Sequence, residues 1–430
     1  MAANAFRSGL RRKAEPLRVR AFRGIFVGAV CSGVTDGIVP VAFAVHSIQE
    51  FGSATSLTVI LIALWAGRFA CTPVAGLAAA RRDPFAVMIG SDVVRMVAQG
   101  GLALVLVGTG RDSLTAMAVS AALFGAATAF YAPALSTVLP TVVPGPGLRP
   151  ANALIALVTD ISVLIGPAVA VVLSETVGFV WILVFDSVTF GMNLVALVYA
   201  RRAAHAVLRP DEPADCPRST LGTGWATLRG TVTGAPWLGW SVALWFAVSF
   251  VIGLVAVAGP ALTVTATGGG GLWAALATGM AVAALTGSLS VIAGAVRFGW
   301  RCGSTVLTTA VVFEAVAVAG YGLDVVGPVL LFIGCLTAGF AISITGVVWQ
   351  ALIQAELPAD ELGVFGSVEG FAGAAGVPAG MVAGGTAVST AGTVFVACGA
   401  VGALLALTAA VRASMRTSGP SRAAARPGGV

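Results

Sequence analysis

Charge is scarce in this chain. Asp, Glu, Lys and Arg make up 10% of its 430 residues, against about 25% in a soluble domain. A soluble fold so poor in charge would expose large apolar patches. Histidine is rarer still: only His46 and His205 occur, too few for a His-built metal centre. The six cysteines (Cys31, Cys71, Cys216, Cys302, Cys335 and Cys398) are scattered and form no CxxC pair. They are read as free thiols, not as a disulfide framework. The chain has no GxSxG, no HExxH and no Gly-rich phosphate loop leading to Lys-Ser or Lys-Thr, and the run Gly268 to Gly271 lacks the lysine. An enzyme is therefore not expected, and neither is a cofactor or bound metal.

Hydrocarbon fills the chain instead. Hydrophobic residues make up 58% and glycine contributes 55 positions; the mean hydropathy is +0.97. Twelve apolar segments can be read, at about 24–46, 54–79, 86–108, 114–138, 153–173, 177–200, 236–259, 271–295, 303–322, 326–350, 364–386 and 391–411. A helix needs about 20 residues to cross the bilayer core, whereas a barrel strand needs about 10 that alternate. The expected fold class is an all-α integral membrane protein with twelve transmembrane helices in two six-helix bundles. The first segment is longer than the core of a secretory leader, and more spans follow it, so it is read as a span and not as a cleaved signal.

The basic residues give an orientation. With the N-terminus in the cytoplasm, all of the 24 Lys and Arg except Arg68, Arg95 and Arg111 fall in cytoplasmic tails or loops. Basic residues near span ends stay inside, so both termini are expected in the cytoplasm of a multi-pass plasma-membrane protein. The net charge of +6 is then explained by topology and by anionic lipid, and no nucleic-acid partner is needed.

The two halves echo each other. Gly76-Leu-Ala-Ala-Ala80-Arg81-Arg82 is answered by Ala293-Gly-Ala-Val-Arg297, and Leu139-Pro140 by Leu357-Pro358. The stretch between the halves carries Pro210, Asp211, Glu212, Pro213 and Asp215, a composition that favours an exposed linker. The expected division is a basic tail 1–23, a bundle 24–200, a cytoplasmic linker 201–235, a bundle 236–411 and a tail 412–430. Two parallel repeats with a midplane site between them are a known transporter plan.

At this point the chain resembles the major facilitator superfamily, and within it bacterial exporters of the enterobactin-exporter and macrolide-efflux type. Gly76 and Arg81 fit the loop signature between helices two and three, whose Asp position is held here by Ala80. Asp92-Val-Val-Arg95 is similar to the D-x-x-R at the start of helix three. Tyr131-Ala-Pro133, Leu139-Pro140, Ala151-Asn152-Ala153-Leu154 and Phe185-Asp186-Ser-Val-Thr-Phe190 continue the likeness, and Gly166-Pro167 resembles the helix-five motif of antiporters. Gly363-Val-Phe365-Gly-Ser367 is similar to the opening of helix eleven. The resemblance implies a cytoplasmic latch involving Gly76, Arg81, Asp92, Arg95, Arg297 and Glu369. It also implies a cavity lined by Tyr131, Trp245, Trp349 and Gln350.

Ionised groups inside a bilayer cost about 2.5–3.5 kcal/mol each on insertion scales, so each needs a reason. Asp36 falls in the middle of segment one and shares a small, polar helical face with Ala29, Gly33, Gly37 and Pro40. It is the first candidate for proton coupling or substrate contact. Arg68 and Asp160 follow, on helices that the resemblance places beside the cavity, where opposite charges would neutralise each other. Asp92 and Arg95 read as a structural pair near the loop. Asp186 and Glu314 fall on helices that the resemblance places at the periphery.

The functional expectation is a proton-coupled exporter of a small organic molecule such as an antibiotic, siderophore or toxic metabolite, working by alternating access as a monomer. The alternatives are an uptake permease of the same fold and a non-transporting membrane sensor.

Overall fold

The computed structural model of the chain describes residues 16–51, 54–143, 145–206, 229–267, 271–321, 326–389 and 393–417. The outer parts of both tails, most of the 201–235 linker with Cys216, and Gly268 to Gly270 lie outside these residues. Helices dominate, and no strand occurs among the described residues. They are α1 (Arg20–Asp36), α2 (Val39–Phe51), α3 (Ala54–Arg81), α4 (Pro84–Thr109), α5 (Leu114–Val142), α6 (Leu148–Thr176) and α7 (Phe179–His205). The later half has α8 (Pro236–Thr267), α9 (Gly271–Ile292), α10 (Trp300–Ala319), α11 (Val326–Glu356), α12 (Ala359–Ser389) and α13 (Thr393–Thr417).

Among the described residues, eleven stretches are long and apolar enough to cross a membrane. α12 is a helix of 31 residues. Most helices run several residues past the apolar segments that announce them, since backbone hydrogen bonding continues after the hydrocarbon run ends.

Segment one departs from expectation. It is not one continuous helix but two, α1 and α2, separated at Gly37 and Ile38. Proline explains the break. Pro40 has no N–H to offer the Asp36 carbonyl four residues earlier, and it disfavours helical backbone at Val39. The chain turns instead through an Ile38 N–H that donates to Thr35 O at 2.9 Å. Asp36 is therefore the last residue of a helix and not its midpoint.

The helices sort into two compact units. One holds α1 to α7 with the stretch Leu357–Ser367 at the start of α12; the other holds α8 to α11, the rest of α12 and α13. Within the first unit α1 packs on α7, α3 on α5, and α4 on both α5 and α7. Within the second the corresponding pairs recur: α8 on α13, α9 on α11, and α10 on both α11 and α13. The sequence echoes between the halves thus have a counterpart in how each unit packs.

Gly166 shows why glycine is abundant. A Cβ there would stand 2.5 Å from the Gly37 carbonyl carbon, so α6 reaches the break in the first span only because both positions lack a side chain. Gly166→Val should cost about 1–3 kcal/mol through overpacking, read as a lower melting temperature of the purified protein. Gly90 is the contrasting case, because a Cβ there meets nothing within 4 Å. Gly90→Ala should leave the melting temperature unchanged or raise it, since alanine is the better helix former.

Candidate functional site

The first unit has two apolar clusters. One gathers Ile38, Phe43, Leu102, Leu106, Met117, Phe179 and Leu183. The other gathers Ile25, Phe85, Met88, Val138, Leu197 and Ala200. Along α1, α4, α5 and α7 the polar side chains fall between these clusters. Asp92, Arg95 and Gln99 recur on one face of α4, and Asp186, Thr189 and Asn193 on one face of α7, at three- and four-residue spacing. The result is a polar layer between two apolar ones.

Arg95 is the hub of that layer. It is 4% exposed, while Asp92 and Asp186 are both fully buried. Its Nη2 is ion-paired with Asp92 Oδ1 one turn back on α4. Its guanidinium carbon lies 4.4 Å from the Phe190 ring centre and 4.9 Å from that of Tyr131. Such cation–π contacts are worth up to about 2 kcal/mol when desolvated. Asp36 stands at the end of α1, exposed, within electrostatic reach of Arg95, Asp92 and Asp186. Thr35 beside it lies 3.0 Å, oxygen to oxygen, from Thr189, and Asn193 Nδ2 donates to Ser32 Oγ at 3.4 Å.

Several enclosed atoms of the layer lack a hydrogen-bond partner: Asp92 Oδ2, Arg95 Nε, Tyr131 OH, both Asp186 carboxylate oxygens and Asn193 Oδ1. Buried polar groups are nearly always satisfied, so such a concentration marks a place that rearranges or accepts something. Three carboxylates answer one guanidinium here. The charge of the layer changes by one whenever a proton joins or leaves it.

Asp36, Asp92, Arg95 and Tyr131 are thus brought together, and Asp186 joins them. Asp186 is fully buried, because α7 turns this residue toward α1 and α4. Asp92 and Arg95 belong to this interior layer and not to the loop. Arg68 does not pair with Asp160. α3 packs on α5 while α6 packs on α1 and α2, and the Arg68 guanidinium lies 5.5 Å from the Trp65 ring centre instead. Asp160 is half-buried on α6. Sequence reasoning named Asp186 but not Thr189 and Asn193 as its companions, although their shared spacing on one helical face was a readable signal.

At the loop between α3 and α4, Arg81 is exposed. The carboxylate there is Asp83, which caps α4 by accepting from the Phe85 N–H at 3.0 Å and pairs with Arg201 Nε at 2.6 Å. Gly76 lies against Gly363: a Cβ on Gly363 would stand 2.7 Å from the Gly76 carbonyl oxygen. Arg297 is exposed in the segment between α9 and α10. In the second unit Glu369 accepts from Trp349 Nε1 at 2.7 Å and Gln350 Nε2 at 2.9 Å, and Trp245 stacks on Trp300 at 6.1 Å. A cavity of about 780 Å³ between α1 and α7 is lined by Arg23, Val27, Met192, Val195 and Tyr199. No side chain of the polar layer lines it.

Repeated helix packing, long apolar spans and a charged layer inside one unit define a multi-pass membrane transporter. The Major Facilitator Superfamily model matches residues 25–381, and the chain belongs to that family. The crystal structure of a bacterial homologue of the iron transporter ferroportin, in an outward-facing state, is similar to it at a TM-score of 0.72 and 16% identity. That alignment covers 92% of this chain and 100% of that one. The human organic anion transporter MFSD10 (TETRAN) is similar at 0.65 and 15% identity, over 91% of this chain and 99% of that one. At such identities the likeness is one of fold. No match is found among curated protein sequences.

Proposed function

We propose that the protein is a secondary active transporter that exports a small organic molecule in exchange for protons by alternating access. The observation that supports this reading is the polar layer of Asp36, Asp92, Arg95 and Asp186. Carboxylates inside a membrane protein mark proton and ion pathways, and Asp36 is the member that is exposed. Asp36 takes a proton on one side and gives it up on the other, while Arg95 and Asp186 adjust to its charge. Arg81, at the exposed end of α3, and the Gly76–Gly363 approach serve the latch, and the basic residues hold both termini in the cytoplasm of the plasma membrane. The similar structures are a bacterial homologue of an iron transporter and a human organic anion transporter. Among the described residues no group of three or more His, Cys, Asp or Glu side chains is arranged for a metal ion.

The test is a host stripped of its own exporters, expressing the protein and screened against a panel of antibiotics with and without a protonophore. Protection that the protonophore abolishes is expected. Increased sensitivity through uptake, or protection that the protonophore leaves intact, overturns the reading.

A further inference from the structure

Arginines gather where α1 begins and α7 ends. Arg20 and Arg23 are three residues apart on α1, and Tyr199 and Arg202 are three apart on α7, so each pair shares a helical face. Arg23 and Tyr199 line the cavity of about 780 Å³ between these helices. Tyr199 also lines a second cavity, of about 580 Å³, together with Arg20 and Arg202. Arg201, next to Arg202, is taken by Asp83. Arg20, Arg23 and Arg202 are exposed, and among the described residues none of the three pairs with a carboxylate.

The larger cavity is an apolar groove with a floor and two walls. A Cβ on Gly24 would stand 2.8 Å from the Ala196 carbonyl oxygen, and one on Gly28 would overlap Asn193 Oδ1, so α1 and α7 meet there through glycine. Larger side chains stand clear of this seam: Val27 on α1, and Val188, Met192 and Val195 on α7, are each more than half exposed. Arg23 is the only charged residue in the lining. From Val188 to Tyr199 the groove follows α7 for eleven steps of 1.5 Å, about 16 Å. Half of a bilayer's hydrocarbon core is about 15 Å. The groove is therefore one leaflet long, with its cations at the headgroup end.

We propose that this groove and its arginines form a binding site for one anionic phospholipid. An acyl chain lies along the α1–α7 seam, and the phosphate sits among Arg20, Arg23 and Arg202. Length and apolar lining select the chain. Charge selects the headgroup: three guanidiniums without carboxylates offer paired N–H donors that suit phosphate oxygens, and the Tyr199 hydroxyl adds another. Basic pockets between transmembrane helices hold anionic headgroups in this way. A zwitterionic lipid brings the same chain, but its ammonium is repelled by the arginines. The proposed topology puts this end of the helices in the cytoplasm, where the membrane surface is negative. The lipid bears on α1 and α7, the two helices that carry Asp36 and Asp186.

The test titrates phosphatidylglycerol and phosphatidylcholine with identical acyl chains into the delipidated full chain in detergent, with bound lipid counted by native mass spectrometry. Phosphatidylglycerol is expected to saturate its site at the lower concentration. Arg20→Gln, Arg23→Gln and Arg202→Gln should each weaken it about fivefold, the usual share of one arginine at a membrane surface. The same change at Arg301, Arg412 and Arg416, which are exposed in the second unit, should leave it unchanged. Cys31 lines the groove. In the unaltered protein phosphatidylglycerol should therefore slow its labelling by N-ethylmaleimide severalfold, read by peptide mass, and inorganic phosphate should not. The proposal is overturned if the two lipids bind alike, or if the three groove substitutions combined leave phosphatidylglycerol binding as tight as in the parent. It is overturned equally if Cys31 labels at one rate with and without the lipid, or if phosphate alone protects it. The Cys31 readout needs no variant, and none of these measurements involves transport, so the outcome is separate from that of proton coupling.

Discussion

Asp36→Asn is expected to abolish uphill, proton-driven efflux while the protein is still made and melts at the parent's temperature. The amide keeps the shape and hydrogen-bonding capacity of the acid but carries no exchangeable charge. Asp36 ends α1 and is exposed, so the substitution removes no buried partner. One elementary charge moved through 100 mV is worth about 2.3 kcal/mol, roughly a fiftyfold concentration ratio. With the coupling proton gone, that ratio should collapse toward one in vesicles carrying an imposed pH gradient. Exchange of cargo down its own gradient should persist, since alternation itself needs no proton on Asp36. Uphill efflux that survives in Asp36→Asn removes this residue from the coupling mechanism.

Arg95→Ala should be the most damaging single change to the fold. Its guanidinium is the one base in a layer with three carboxylates, ion-paired with Asp92 and held between Phe190 and Tyr131. Removing one partner of a buried pair costs about 3–5 kcal/mol, because the other charge is left uncompensated. The expected result is little or no folded protein after extraction, read by size-exclusion chromatography and thermal melting. Replacing both partners, with Asp92→Asn and Arg95→Met, should recover part of the loss, since no orphaned charge then remains. Arg95→Lys should not rescue fully: an ammonium is a point charge and cannot lie flat between two rings as the planar guanidinium does. A double variant no more stable than Arg95→Ala would show that the pair is not what the arginine supports.

Much of the architecture could be read from the sequence because lipid imposes a length on every apolar run. Apart from the break in the first segment, the helices lie where the segments place them, and the echo between Arg81 and Arg297 has its counterpart in matching helix pairs. Asp36 stood out because a carboxylate in hydrocarbon needs a reason. The break beside it was also written in the chain, as Pro40 four residues on, but was hidden by an unbroken apolar run. Asp186 was harder. Whether a buried acid faces a partner or a neighbouring helix depends on how α7 is rotated against α1 and α4, and rotation is set by packing between distant segments. The same holds for Arg201, which reaches Asp83 across more than a hundred residues of sequence. The partners of Glu369 likewise became legible only in the packed helices, where Trp349 and Gln350 donate to a single oxygen.

The interruption at Gly37 and Ile38 has one more consequence. A continuous helix transmits rotation, so adding or deleting a residue anywhere along it turns every later side chain by about 100°, as 3.6 residues per turn requires. Here that angular register stops at the joint. α2 is moored separately, with His46 bonded to Asp112 at 2.7 Å and stacked on Phe179 at 4.1 Å. α2 can therefore drift in sequence and in azimuth while the aim of Asp36 stays fixed.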